Sequence, residues 1–100
     1  MLLYNVTVKI INEVKEDWLN WMKEVHIPDV MNTGLFVDYK ICRLLGEDES
    51  EGTTYAIQYI TKSMEDFAIY NEKDAKKLQE EHSQRYPNQY VAFRTLMEIL

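Results

Sequence analysis

The stretch from Trp18 to Pro28 constrains the fold more than any other part of this chain. It contains both tryptophans, one of the two histidines and one of the two prolines. On a helical wheel its large apolar side chains fall on one arc, which holds Trp18, Trp21, Met22 and Val25. The opposite side is polar, so the stretch predicts an amphipathic helix with one face packed on a core.

The C-terminal end of this helix is predicted to bend. Pro28 has no N–H group, and its ring would clash with the carbonyl group of Glu24. We therefore expect the helix to end or bend near His26, with Pro28 opening a further turn that stops at Gly34. His26 lies at the edge of the apolar arc, so the bend is compatible with a pocket wall and equally with a simple corner.

Four segments outside this helix predict β-strands, because they are rich in β-branched or aromatic residues in alternation. They are Leu2 to Ile11, Leu35 to Leu45, Thr53 to Ile60 and Tyr90 to Leu100. The polar segment between the second and third strands is short, which favours an antiparallel hairpin.

A second helical region is predicted between the third and fourth strands. Ser63 to Asp66 resembles a capping-box start, and Met64, Phe67 and Tyr70 form its inner stripe. Asn71 and Asp74 then fall on the same stripe, which predicts a break with Asp74 capping a second helix. Leu78, His82 and Arg85 follow on that helix, which closes before Pro87.

The resulting order is β-α-β-β-α-β, within a single domain spanning residues 1–100. This order predicts an α+β, ferredoxin-like fold, with a four-stranded antiparallel sheet and helices on one face. Several strands carry apolar residues on both faces, as Phe93 and Met97 oppose Ala92 and Leu96 on the last strand. The helices can cover only one face, so we expect a homodimer that buries the other, sheet against sheet.

Composition excludes several classes of function. The net charge is -6, which argues against a nucleic-acid partner because phosphate binding needs clustered lysine and arginine. No apolar run approaches the length of a membrane span, and the start is too short for a signal peptide. Cys42 is the one cysteine, so a cytoplasmic location with a reduced, packed thiol is the expectation.

Five stretches carry a resemblance to a known family: Trp18 to Pro28, Asp38 to Leu45, Thr53 to Tyr59, His82 to Tyr86 and Val91 to Thr95. Together they resemble a small bacterial family, the domain of unknown function numbered four-two-eight-six. That resemblance implies no activity.

The architecture is also similar to the dimeric α+β barrel superfamily. It includes cofactor-free monooxygenases, haem proteins and isomerases, and its ligands typically sit between sheet and helices. No enzyme motif carries over residue by residue, so the resemblance is one of fold.

The two histidines are the first candidates for chemistry. His26 has the residue type of a general base or haem ligand. The favoured interpretation is a structural role, in which its half-buried imidazole is hydrogen-bonded to a carbonyl group freed near Pro28. His82 with Arg85 and Tyr86 has the pattern of an anion clamp. The favoured interpretation is that these cations interact with the C-terminal end of a helix dipole.

Two strand arginines, Arg43 and Arg94, need partners if they face a core. Asp38, Glu98 or a second subunit would supply that partner in an ion pair at an interface. The alternative is that the arginines belong to a pocket that binds a carboxylate ligand. The acidic run from Glu47 to Glu51 lacks the spacing of a calcium loop. We therefore expect no metal and no cofactor.

Two hypotheses of function remain at this point. The first is a non-catalytic dimeric module that binds a small metabolite or a protein partner. The second is a cofactor-free monooxygenase or isomerase-like enzyme acting on a small aromatic or enolisable substrate, with His26 as the candidate base. For either, the expected ligand-binding residues are Trp18, Trp21, Met22, His26, Arg43 and Arg94.

Overall fold

The computed structural model describes all residues from Met1 to Leu100, and its central feature is one antiparallel sheet. The strands are β1 (Leu2–Ile10), β2 (Asp38–Arg43), β3 (Thr53–Thr61) and β4 (Tyr90–Glu98). Their order across the sheet is β2-β3-β1-β4, so the consecutive strands β2 and β3 form a hairpin. This is the ferredoxin-like arrangement that the sequence predicts, and the prediction is confirmed.

The helical elements follow β1 and β3, as a ferredoxin-like order requires. They are α1 (Lys15–Trp21), α2 (Ile27–Met31), α3 (Met64–Lys73) and α4 (Ala75–Arg85). A π-helical turn, Met22–His26, joins α1 to α2. None of these helices combines the length and the apolar character needed to cross a bilayer.

The predicted bend near His26 is confirmed and takes the form of that π-helical turn. Its hydrogen bonds connect residues five apart, so each residue turns less far round the axis than in an α-helix, and side chains five apart come to lie on one face. Met22 and Ile27 therefore both reach the core, whereas Val25 is 41% exposed. The expectation that Val25 belongs to the buried arc was wrong, because it assumed an uninterrupted α-helix. Gly34 ends the region with a φ of 78°, as expected.

The predicted break in the second helical region is also confirmed. Ser63 caps α3 by accepting a hydrogen bond from the backbone N–H of Asp66 at 3.2 Å. Asp74 separates α3 from α4, with a φ of -117°, but its side chain caps neither helix. Tyr70 is buried as predicted, whereas Met64, in the first turn of α3, is exposed.

The register of the sheet decides which side chains face the helices. Ile57 of β3 lies opposite Val6 of β1 and Ile41 of β2, and Ile57 is fully buried. β2 is shorter than the Leu35 to Leu45 segment predicted. Its N-terminal flank turns into the core instead, where the ring of Phe36 packs 4.8 Å from that of Tyr70.

The other face of the sheet carries no helix. Val91 and Phe93 of β4 are 68% and 64% exposed there, and Met97 on the same face is 42% exposed. Cys42 is a free, exposed thiol on this face. The expected packing of the Cys42 thiol is not found within the single chain, because the pairing of Ile41 with Ile57 turns its neighbour outward.

Candidate functional site

A cavity lies between the helix-facing side of the sheet and the helices above it. Its free space is about 460 Å³, part of which is open to solvent. The enclosed part has room for only a few water molecules. The apolar residues around it come from β1, β3, β4 and the first helical region, and they are Val6, Val8, Met22, Val30, Ile57 and Ala92.

Polar side chains from every layer of the fold also line this cavity. The sheet contributes Tyr4, Tyr59, Tyr90 and Arg94, and the helical elements contribute His26, Tyr70, Gln79 and His82. Small-molecule sites typically have walls of apolar and aromatic side chains and a small number of polar groups that point to the same place. No group of three or more histidine, cysteine, aspartate or glutamate side chains is placed to hold a metal ion.

His26, the last residue of the π-helical turn, has an unusual environment. Its Nδ1 atom is buried and has no hydrogen-bond partner. Burial lowers the pKa of the imidazole to about 4, with a smaller lowering from Arg94 and an opposing effect of Asp29. The ring is therefore uncharged at neutral pH. The favoured sequence interpretation, an imidazole bonded to a freed carbonyl, was wrong for Nδ1.

His82 reaches the same cavity from α4, and its ring centroid lies 5.8 Å from that of His26. The indole Nε1–H of Trp18 donates a hydrogen bond to Nε2 of His82 at 2.8 Å. Burial, with smaller contributions from the neighbouring His26 and from Arg94, lowers the pKa of His82 to about 4. Because Nε2 accepts a hydrogen bond, the neutral ring carries its proton on Nδ1.

Trp21 packs against both histidines without itself lining the cavity. Its ring centroid lies 5.1 Å from that of His26 and 5.8 Å from that of His82. The guanidinium of Arg85 lies over the outer side of the indole, 5.5 Å from the ring centroid. Arg85 also contacts Asp17, at 3.4 Å, so it joins α4 to α1 on the surface.

Two tyrosines of the sheet, one tyrosine of α3 and one arginine line the rest of the cavity. Burial raises the pKa of Tyr4, Tyr59 and Tyr70, so their hydroxyl groups stay protonated and available as donors at neutral pH. Arg94 lies close enough to Tyr4 to offset part of that rise. Since Arg94 is exposed as well as lining the cavity, it lies where the cavity meets solvent.

The structure brings some of the sequence-predicted residues together and separates others. Met22, His26 and Arg94 line the cavity. Trp18 and Trp21 stand behind the histidines and hold their rings.

Arg43 is in a different place. Its guanidinium is paired with Glu49 in the β2–β3 loop, and neither residue lines the cavity. The ion-pair partner of Arg43 is therefore not Asp38 or Glu98, the acidic residues suggested within the chain.

His82 is the main cavity residue that sequence reasoning assigned to another role. The favoured helix-dipole interpretation treats it as a cation, whereas it is buried and uncharged. The sequence position of His82 does indicate that it is buried, since it continues the buried stripe of Ala75 and Leu78 along α4. Arg85 and Tyr86 do not form an anion clamp with it, because they contact Asp17 instead.

The same substitution at the two histidines is expected to have opposite effects on stability. His26→Leu removes a buried nitrogen without a partner, so the free energy of unfolding at pH 7 should rise by about 1 kcal/mol or stay unchanged. His82→Leu leaves the Trp18 Nε1–H without its acceptor and should cost about 1–3 kcal/mol. Urea denaturation of both variants measures the difference, and a large loss in His26→Leu would contradict the assignment.

Comparison with known structures supports the fold at low sequence identity. A protein from Bacillus halodurans described as an "ethyl tert-butyl ether d (ethd) family protein" has a TM-score of 0.69 at 16% identity, over 100% of both chains. A putative antibiotic biosynthesis monooxygenase from Nitrosomonas europaea has 0.71 at 10%, over 100% of this chain and 99% of that one. A dimeric ferredoxin-like protein from an uncultured marine organism has 0.70 at 13%, over 100% and 95%.

Sequence comparison gives a family without an activity. No curated protein matches the chain. One family model covers residues 1–100, and its description is "Domain of unknown function (DUF4286)". The match spans the whole chain, including the segments that form the cavity. This protein is therefore a member of the DUF4286 family.

Proposed function

We propose that this protein is a homodimeric module that binds a small molecule in the cavity between its sheet and its helices. The observation that carries the proposal is the pair of uncharged imidazoles, one with an unpartnered buried nitrogen, in a single cavity. An unsatisfied buried polar atom costs about 1–3 kcal/mol. A ligand that hydrogen-bonds to the imidazole would explain why the fold keeps it.

Binding is favoured over catalysis by the basicity of the histidines. A general base works best when its pKa lies near the working pH. With a pKa of about 4, His26 and His82 are uncharged but weak proton acceptors at neutral pH. They suit hydrogen bonding to a ligand better than abstraction of its protons.

Cofactor-free oxygenation or isomerisation of an aromatic or enolisable compound is the second candidate. It is favoured by one observation: an uncharged imidazole lies among tyrosine side chains in a cavity. A ligand that excluded Arg94 from the cavity and brought a carboxylate near His26 would raise the pKa of that residue toward a useful range. The structural similarity to a protein described as a putative antibiotic biosynthesis monooxygenase is consistent with this candidate.

The proposed dimer uses the face of the sheet opposite the helices. Its exposed apolar residues adjoin polar ones such as Lys40 and Gln58, a mixture typical of an interface with buried hydrogen bonds. One structural neighbour is described as dimeric. Cys42 is a free thiol without a disulfide partner in the chain, which suits a reducing compartment, so we propose a cytoplasmic location. Nucleic acid is not among the proposed partners, because the net charge is -6.

A fragment screen followed by amide chemical shifts tests the binding function. Small aromatic fragments are expected to shift the signals of cavity residues such as His26 and Val30. Ala92→Phe places a ring in the cavity and should abolish those shifts. Ala68→Phe, the same change at an exposed position on α3, should leave them unchanged. Fragments that still shift the signals of cavity residues in the Ala92→Phe variant would contradict the proposal. So would a screen in which no fragment shifts those signals in the wild-type protein.

A further inference from the structure

The polar groups around the cavity are biased toward hydrogen-bond donors and positive charge. Arg94 is the one lining residue with a formal charge, and no aspartate or glutamate lines the cavity. The two ion pairs of the structure use Arg43 and Arg85, so the guanidinium of Arg94 has no carboxylate partner. This local balance is the reverse of the whole chain, which carries a net charge of -6.

His82 adds a donor whose direction is fixed by the protein. The hydrogen bond from Trp18 occupies Nε2, so the proton of the neutral ring is on Nδ1. That Nδ1–H makes no hydrogen bond within the protein, and it is not among the fully buried atoms that lack a partner, whereas Nδ1 of His26 is. The hydroxyl groups of Tyr4, Tyr59 and Tyr70 remain protonated and extend the set of donors.

We infer that the ligand of this cavity is a small organic carboxylate, bound with its anionic group toward Arg94 and its apolar body toward Met22 and Ile57. The inference rests on the proposed binding function and names the chemistry of its ligand. A guanidinium pairs with a carboxylate through two parallel N–H donors, which gives both affinity and orientation. The apolar lining favours an aromatic or short aliphatic body, because the enclosed space is small.

Arg94 would act as the charge-selecting residue of the site. It is exposed at the cavity mouth, so its attraction for an anion should weaken as the salt concentration rises. The histidines would contribute hydrogen bonds without charge, since both are neutral well above a pKa of about 4. Selection of an anion should therefore depend on the arginine alone.

Benzoate and benzamide are a matched pair of probes, because they share size and shape and differ in charge. We expect the wild-type protein to bind benzoate about tenfold or more tightly than benzamide, as followed by the amide shifts of cavity residues. Arg94→Gln should reduce that ratio to about one while benzamide binding is unchanged. Arg43→Gln is the control, because Arg43 is paired with Glu49 outside the cavity.

The outcomes separate this inference from the proposed function. Equal binding of the two probes to wild-type protein, or a preference for benzoate that survives Arg94→Gln, overturns the carboxylate inference and leaves small-molecule binding in place. Binding by neither probe also overturns the inference, and the fragment screen with Ala92→Phe then decides the broader function. A preference lost equally in Arg43→Gln would show a general charge effect and would overturn the role of Arg94.

Discussion

Acidification from pH 6.5 to pH 4 is expected to remove a large part of the protein's stability. In the folded chain burial holds the pKa of His26 and of His82 at about 4, below the ordinary value of 6.5. Between these pH values the unfolded state binds more protons, so the free energy of unfolding falls as the pH falls. At about 1.4 kcal/mol per unit of pKa, the loss is on the order of 3–6 kcal/mol for the pair.

A loss of that size matters because whole domains have stabilities of only about 5–15 kcal/mol. Urea denaturation at pH 7, 6, 5 and 4 measures it. His26→Leu and His82→Leu each remove one of the two groups, so each should reduce the loss by about half. Asp48 and Glu49 have lowered pKa values too, but their ordinary values of 3.8 and 4.5 place their contribution at the acid end of this range and below it. A flat wild-type profile would contradict the assignment of two neutral buried imidazoles.

Phe93→Glu is expected to convert the proposed dimer into monomers. Phe93 is 64% exposed in the single chain and lies on the open face of the sheet. In a dimer joined through that face, the substitution would bury a carboxylate without a partner, which costs several kcal/mol. Sedimentation should show twice the chain mass of 11.9 kDa for the wild-type protein and the chain mass for the variant.

Met64→Glu provides the matched control for this experiment. Met64 is similarly exposed, at 57%, but lies at the start of α3 on the helical side. The change adds the same charge in place of an apolar side chain and should leave the dimer intact. Wild-type protein that stays at the chain mass at high concentration would refute the dimer. A dimer that tolerates Phe93→Glu would refute the sheet-to-sheet arrangement.

Most of the fold could be predicted from the sequence because its signals are local. Alternation identified all four strands, and the Ser63 cap marked the start of α3. The limits of β2 could not be predicted, because they depend on contacts between distant segments. Phe36 leaves the ladder to pack on Tyr59 and Tyr70, and nothing in its immediate neighbours distinguishes it from a strand residue.

The candidate site was only partly predictable for a related reason. His26 and Met22 were expected because they lie near one bend in one helix. His82 enters the same cavity from α4, and its tautomer depends on Trp18, a residue 64 positions away. A local pattern can place an imidazole on a buried stripe, but it cannot tell whether the partner is a carboxylate, an indole or nothing. Arg43 and Arg94 look alike in sequence, and their different neighbours separate them.

The π-helical turn gives the cavity a dependence on chain length at a single point. A π turn corresponds to one residue inserted into an α-helix. Without that extra residue, an α-helix through Met22 would turn Val25 toward the sheet and rotate the residues that follow the turn, Val30 among them, away from their present direction. Gain or loss of one residue between Met22 and His26 would therefore change which side chains of α2, Val30 among them, face the cavity. Such a step leaves every strand and the whole of α3 and α4 unaltered in sequence.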